Sequence, residues 1–321
     1  MGKPYSAELS ELPRTFAWAM ASDITALRKA VRTSGLYPLL AIGSGGSLTA
    51  AHALAALHRH RTSRLAAFAT PLEAVAEPLE EGVATWLISA GGRNADILAA
   101  FRALVAREAR QLCVLCGREG STLMELAGGH AHVDAIVCEP PSGKDGFLAT
   151  NSLLAFVTLL SRAYKEEYGE YDADGKSLHA VVEPALSPAS ELVSGWRAET
   201  ERLWCRETIL VLYGAEGRIG AIDLESKFTE AALGNLQIAD YRNFAHGRHH
   251  WLAKRGASSG VLALVAPGDR DLSERTLRLI PRDVPTARIC LEGSNEAVSV
   301  TSLFLLCHSA DGFNRAALCF R

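Results

Sequence analysis

The stretch Pro38-Leu39-Leu40-Ala41-Ile42-Gly43-Ser44-Gly45-Gly46-Ser47 decides the fold. An apolar run ends in a turn made only of glycine and serine, and Leu48 to Leu57 follows with Ala and Leu at helical spacing. The pattern predicts a buried strand, a tight loop and a helix start. Gly43, Gly45 and Gly46 let the backbone turn sharply and come close to a ligand. The free N–H groups of the helix start, with the helix dipole behind them, favour an anion. Ser44 and Ser47 add hydroxyl donors, so the expected guest is a phosphate group. The turn lacks the Lys-Ser/Thr ending of a P-loop and the Gly-x-Gly-x-x-Gly spacing of a dinucleotide site.

Upstream, residues 1–37 read as a helical leader with Phe16, Trp18, Met20, Ile24, Leu27 and Val31 at the apolar positions. Downstream, strands at 39–42, 65–69, 84–89, 111–115 and 133–138 alternate with helices at 47–57, 71–76, 94–105, 121–126 and 146–164. Such alternation predicts a parallel sheet covered on both faces. The plan then repeats, with strands at 208–213, 237–239, 260–265 and 286–291. Helices at 188–203, 218–233, 272–279 and 295–308 accompany them, the first opened by Ser187-Pro188. The expected fold class is α/β: two tandem doubly wound parallel sheets of flavodoxin type, related by a pseudo-twofold. The parts are a leader (1–37), a first domain (38–168), a charged, turn-rich linker (169–187) and a second domain (188–321). Ligands in open parallel sheets bind beyond the carboxyl ends of the strands, where the strand order reverses. That rule singles out Gly43–Ser47, Ser89–Asp96, Gly143–Asn151, Gly214–Arg218 and the His-rich stretch Asn243–Lys254.

Composition narrows the partners. The 321 residues carry a formal net charge of −3 and no basic stripe, which argues against nucleic acid. No apolar run reaches membrane-spanning length, and the polar, mixed-charge first residues do not read as a signal peptide. Seven cysteines, an odd number scattered through apolar segments, fit reduced core residues of a cytoplasmic protein. Cys113-Val114-Leu115-Cys116 has the spacing of a redox or metal motif but falls in a predicted strand, so it reads as core. His58 and His60 end a helix, where the dipole favours a cation, and read as structural. His246 and His250 would share one face of a helix, but no third ligand accompanies them. No metal and no cofactor is expected.

Three loops in chain order resemble those of the sugar isomerase (SIS) domain. The first is Gly43-Ser44-Gly45-Gly46-Ser47. The second, Leu87-Ile88-Ser89-Ala90-Gly91-Gly92-Arg93-Asn94-Ala95-Asp96, is similar to the family's Ile-Ser-x-Ser-Gly-x-Thr-x-Asp loop, which cradles the sugar phosphate. The third, Gly146-Phe147-Leu148-Ala149-Thr150-Asn151, resembles the Val-Ala-Ser-Thr-Lys stretch of the isomerase half of glucosamine-6-phosphate synthase. Asp223-Leu224-Glu225 resembles that enzyme's Leu-Glu-Gly helix, and Ala245-His246-Gly247 its Lys-His-Gly. The resemblance runs from about Leu36 through nearly the whole chain and implies a double-SIS protein, a homodimer and a phosphosugar ligand. Fructosamine deglycases share the arrangement. The departures are specific. Gly91 and Asn94 replace the second loop's Ser and Thr, and Ala149 and Asn151 replace the third loop's Ser and Lys. Ala232 stands where the general base would be and Thr229 where a lysine would be.

Aldose–ketose isomerisation needs an anion site for the phosphate, a base that moves a proton between C1 and C2, and an acid that helps open the ring. The expected binding residues are Gly43, Ser44, Gly45, Gly46, Ser47, Ser89, Gly91, Gly92, Asn94 and Thr150. Arg93 would add charge or point to solvent. His246 is the expected ring-opening acid, since histidine ordinarily titrates near neutrality, with Glu225 and then Glu230 as base. The missing hydroxyls and base leave two other readings open. One is a sensor that binds a sugar phosphate or nucleotide without turnover, and the other is an assembly scaffold with a vestigial pocket.

Overall fold

The computed structural model describes residues 3–78, 82–169, 177–187 and 189–303. The chain divides into two compact units, Met1–Tyr171 and Asp172–Arg321. In the first unit the leader forms α1 (Tyr5–Ala21) and α2 (Thr25–Ser34). The elements that follow are β1 (Leu39–Ile42), α3 (Gly46–Thr62), β2 (Ala66–Ala69), α4 (Pro71–Ala76), β3 (Ala84–Ser89) and α5 (Ala95–Ala106). The unit is completed by β4 (Gln111–Cys116), α6 (Thr122–Gly128), β5 (Val133–Val137) and α7 (Asn151–Tyr168). The sheet order is β2-β1-β3-β4-β5, with every pair parallel. Helices α1, α2 and α3 pack with α7, while α5 packs with α4 and α6. The expected doubly wound α/β architecture is therefore present.

Register carries the predicted loops to one edge. Ile42 pairs with Ala69 on one side and with Leu87 on the other, so the chain after β1 and the chain after β3 leave the sheet together. The core under that edge includes Ile42, Leu87, Ile97, Phe101, Val114 and Leu123, all nearly or wholly buried. Trp86 is fully buried, and its indole N–H donates to Ser34 Oγ at 2.8 Å, fixing α2 to the sheet. Cys113, Cys116 and Cys138 are buried free thiols, as the strand reading of Cys113–Cys116 implies. Burial pushes the Cys138 thiol up to about 12, which leaves it protonated and inert.

His58 departs from expectation in its chemistry. Its Nδ1 lies 2.9 Å from Tyr164 Oη and its Nε2 lies 3.0 Å from the Tyr37 carbonyl, in the interior. Burial lowers its pKa, so it is a neutral hydrogen-bonding wedge rather than a cation at a helix end.

The second unit opens with α8 (Leu178–Leu186) and α9 (Glu191–Thr200), followed by β6 (Thr208–Tyr213) and α10 (Arg218–Glu230). Then come β7 (Asn235–Asp240), α11 (Tyr241–Asn243), a π-helical turn (Phe244–Arg248) and α12 (His250–Arg255). It continues with β8 (Ser259–Val265), α13 (Arg270–Leu277), β9 (Thr286–Cys290) and α14 (Asn295–Ser302). Its parallel sheet has the order β7-β6-β8-β9, which repeats the first four positions of the other sheet. Residues 178–186, read from the sequence as linker, are helical. Leu178, Val181, Val182, Ala185 and Leu186 recur at helical spacing and are buried, and Ser177 Oγ caps the Ala180 N–H. The next helix starts at Glu191 rather than at Ser187-Pro188, because Ser190 supplies the cap, accepting from the Val193 N–H at 3.1 Å. Cys290, expected in the core, lies on β9 and is exposed. The expected helix 295–308 runs past the described residues.

Candidate functional site

The three first-unit loops meet at the carboxyl edge of β1 and β3. Gly45, at φ 55° and ψ −134°, starts α3 with no side-chain cap. The Ser47 and Leu48 N–H groups donate to the Ser44 and Gly45 carbonyls at 3.1 and 2.9 Å, so among the described residues the donors left for a ligand are those of Gly45 and Gly46. Ser47 Oγ accepts the Ala90 N–H at 3.2 Å, which ties the first loop to the second. Ser89 Oγ accepts the Gly92 N–H at 3.0 Å. A serine oxygen that accepts a backbone N–H keeps its own proton to donate. Two such hydroxyls, Ser89 buried and Ser47 half-buried, thus flank the edge, with Ser44 exposed beside them.

Glycine is required at several of these positions: a Cβ on Gly43 would collide with the Ser47 carbonyl oxygen, and Gly45 has φ 55°. A Cβ on Gly46 would collide with Cβ of Ala149, so this glycine lets the third loop lie against the first. Gly92 has φ 61°, and a Cβ there would collide with Ser121 Oγ. Gly43 bonds through its N–H to the Ala69 carbonyl, holding the first loop to the end of β2. Gly91 is exposed, with open space around it. The Asn94 side chain accepts from the Asp96 N–H at 2.8 Å and caps α5. Arg93 is exposed and donates to the Gly120 carbonyl at 3.3 Å.

The third loop holds a feature the sequence did not announce. The Asp145 carboxylate accepts from the N–H groups of Thr150, Asn151 and Ser152 at 3.0–3.1 Å, so it occupies the N-terminus of α7. For that reason the helix starts at Asn151 and not at Gly146. Thr150 is 3% exposed, and its hydroxyl donates to Glu8 Oε2 at 2.7 Å. Glu8, on α1, also accepts the Gly146 N–H. Asn151 is held between the Glu8 carbonyl and the Thr15 hydroxyl. The leader is thus wired into the third loop by buried hydrogen bonds.

Burial raises the Glu8 pKa, and the neighbouring Asp145 charge adds to the rise, against the hydrogen bonds from Thr150 and Gly146. An acid whose folded pKa lies above its unfolded value contributes stability that is present below the unfolded value, near 4.5, and is lost as pH rises through the folded value. Glu8→Gln keeps one acceptor for Gly146 and offers an amide donor to the Thr150 oxygen. We expect this variant to lose less thermal stability than the parent between pH 5 and pH 7.5. Equal slopes in denaturation scans would show that Glu8 does not titrate in this window.

The second-unit candidates are placed as follows. Glu225 is half-buried on α10 and accepts from Thr229 Oγ1 at 3.4 Å. Glu230 is exposed at the helix end and accepts from Ser226 Oγ at 2.7 Å. His246 is exposed within the π-helical turn. Gly247, at φ 135°, breaks the helical path there, so His246 and His250 do not share the helix face that their spacing predicted. His249 and His250 rings lie 4.3 Å apart, and half-buried Trp251 donates to Ser259 Oγ at 3.0 Å. No hydrogen bond or ion pair among the described residues joins His246 to Glu225 or Glu230. Among the described residues no three His, Cys, Asp or Glu side chains form a metal-binding group. No helix among them is long and apolar enough to cross a membrane.

Solved structures of similar fold cover nearly the whole chain. One is the C-terminal domain of glucosamine-fructose-6-phosphate aminotransferase from Francisella tularensis, with TM-score 0.72, 17% identity and 97% of each chain covered. Another is tagatose-6-phosphate ketose/aldose isomerase from Escherichia coli, with TM-score 0.73, 14% identity, and 99% of this chain and 96% of that one covered. Glucosamine-6-phosphate deaminase from Thermotoga maritima matches with TM-score 0.69 and 15% identity, over 96% of this chain and 95% of that one. At these identities the likeness is one of fold. No protein-family model and no curated protein matches the sequence.

Proposed function

We propose that the first unit binds a phosphorylated sugar or amino sugar and that the protein carries out aldose–ketose isomerisation or deglycation on it by acid–base chemistry. The observation that carries this reading is the pair of serines, Ser47 and Ser89, each accepting a loop N–H and so keeping a proton to donate at one sheet edge. Ser44 and the N–H groups at the start of α3, including those of Gly45 and Gly46, complete the phosphate cradle. Gly43, Gly91 and Gly92 give the loops their close approach, Asn94 holds the start of α5, and Thr150 braces the third loop through Glu8. His246 transfers the ring-opening proton, and Glu225 or Glu230 moves the proton between C1 and C2. The fold neighbours include a ketose/aldose isomerase and an aminotransferase domain whose names carry hexose phosphates, which supports this choice of ligand. The same reading makes the protein a cytoplasmic homodimer whose partner molecule is a phosphosugar.

A second reading is favoured by one observation. Asn94 and Thr150 use their polar groups within the fold, and both glutamates bond to hydroxyls on their own helix. A protein that binds the sugar phosphate and signals its presence needs only the serine edge.

The test is a thermal-shift screen with hexose 6-phosphates, amino-sugar phosphates, nucleotides and inorganic phosphate, followed by NMR of any stabilising compound. Conversion supports the enzyme, stabilisation without conversion supports the sensor, and no shift removes both. Where turnover is found, His246→Ala should lower kcat on the order of 100-fold with little change in binding. An equal loss in kcat and affinity would reduce His246 to a binding residue.

A further inference from the structure

The Gly214–Arg218 turn, singled out by its place after a strand, has no part in the first-unit site. It opens a cleft of about 550 Å³ in the second unit, a volume within the range of small-molecule sites. Tyr213, Gly214 and Ala215 line it from the end of β6, Asp240 and Arg242 from the end of β7, and Asp269 from the chain after β8. Tyr213 pairs with Asp240 and with Leu264, so all three strand ends open on the same edge. β6 lies between β7 and β8, which makes this the point where the strand order of the second sheet reverses.

The two carboxylates in the cleft differ. Asp240 is satisfied by the fold, accepting from the N–H groups of Arg242 and Asn243 at 3.0 and 2.9 Å and from the Asn243 amide. Asp269 is not. Its Oδ2 is buried and accepts no hydrogen bond among the described residues. Its carboxylate fills the space where Gly214 would carry a Cβ, so a side chain at 214 would displace it. Burial raises its pKa. A buried acceptor without a donor is costly, and the residue that carries it lines the cleft, so its carboxylate is the cleft's unsatisfied acceptor. Arg242 is exposed at the same cleft and brings a guanidinium, which favours phosphate. Tyr213, half-buried, and Leu272 add apolar wall.

We propose that this cleft is a second ligand site that takes an amino sugar phosphate. The ammonium or a hydroxyl of the sugar donates to the Asp269 carboxylate, the ring lies along Tyr213, and the phosphate meets Arg242. All of its lining residues belong to the second unit.

Calorimetric titration of glucosamine 6-phosphate into the full chain separates the two sites. The proposal predicts a binding event that persists in Ser47→Asp and weakens at least tenfold in Asp269→Ala, in Gly214→Ala and in Arg242→Ala. Arg242 is exposed, so that variant tests the site without risk to the fold. Glucose 6-phosphate, which lacks the ammonium, and glucosamine, which lacks the phosphate, should each bind this site more weakly. Asp269→Ala should melt no lower than the parent, since it removes an unpartnered buried carboxylate. Binding that is unchanged in both Asp269→Ala and Arg242→Ala overturns the proposal, as does complete loss of binding in Ser47→Asp. An event sensitive to Asp269 but not to Ser47, with no other event present, supports this site and removes the first.

Discussion

Ser47→Asp is expected to abolish sugar-phosphate binding at the first unit and to leave the fold intact. The carboxylate can still accept the Ala90 N–H that Ser47 Oγ accepts at 3.2 Å, so the tie between the first two loops survives. What changes is charge. A carboxylate about 4 Å from a phosphate oxygen costs about 4 kcal/mol per unit charge at the effective dielectric of a protein surface. The lost hydroxyl donor adds to that. With about 1.4 kcal/mol per factor of ten, affinity falls on the order of 1,000-fold. Ser47→Ala separates the contributions, because it loses the donor and the loop tie without adding charge and should cost only about tenfold. Titration with a hexose 6-phosphate reads both variants, and the thermal midpoint verifies the fold. Equal affinity in Ser47→Asp and the parent would remove the anion site from the first loop.

Lys227→Met is expected to destabilise the second unit by roughly 3–5 kcal/mol. Lys227 Nζ lies 2.6 Å from Asp223 Oδ2 one turn earlier on α10, and both side chains are only 4% exposed. Burial raises the Asp223 pKa even with the lysine beside it, so the pair is held against a strong desolvation penalty. Removing the lysine alone leaves a buried carboxylate uncompensated. The corresponding fall in midpoint is roughly 6–20 °C for a unit of this size. Two outcomes identify the cause. Asp223→Leu combined with Lys227→Met should recover most of the loss, since an apolar pair replaces a buried ion pair at little cost. The deficit of the single variant should also shrink as pH falls, because an acid with a raised folded pKa is stabilised in its protonated form. A loss below about 1 kcal/mol, the range of exposed pairs, would show that the pair is hydrated in solution.

Much of the fold was legible because its signals are local. The strand at Leu39–Ile42, the glycine turn after it and the Pro71 helix start all follow from neighbouring residues. Helix α8 was hidden because its apolar spacing is short, contains Pro184 and borders a charged stretch. The π-helical turn at His246 depends on Gly247 at φ 135°, a conformation that helical spacing does not reveal. The site was legible in its loops and not in their wiring. Glu8 meets Thr150 across 142 residues of sequence, and no periodicity links a leader helix to a distant loop. Asp145 carries no cap signal in the sequence because it stands five residues before Thr150, outside the usual capping position. Asp269 is one acid among many in sequence. Its only trace is Gly214, which makes room for it from another strand end.

The central claim is that the serine edge holds a phosphosugar on which the protein then performs chemistry. Incubation of the full chain with hexose 6-phosphates and amino-sugar phosphates in deuterated water, followed by NMR, tests it most directly. The account predicts aldose–ketose conversion, or deuterium appearing at C2 of the recovered sugar, and predicts that both vanish in Ser47→Asp. A sugar phosphate that binds at the serine edge and returns unchanged and undeuterated would contradict the claim of catalysis.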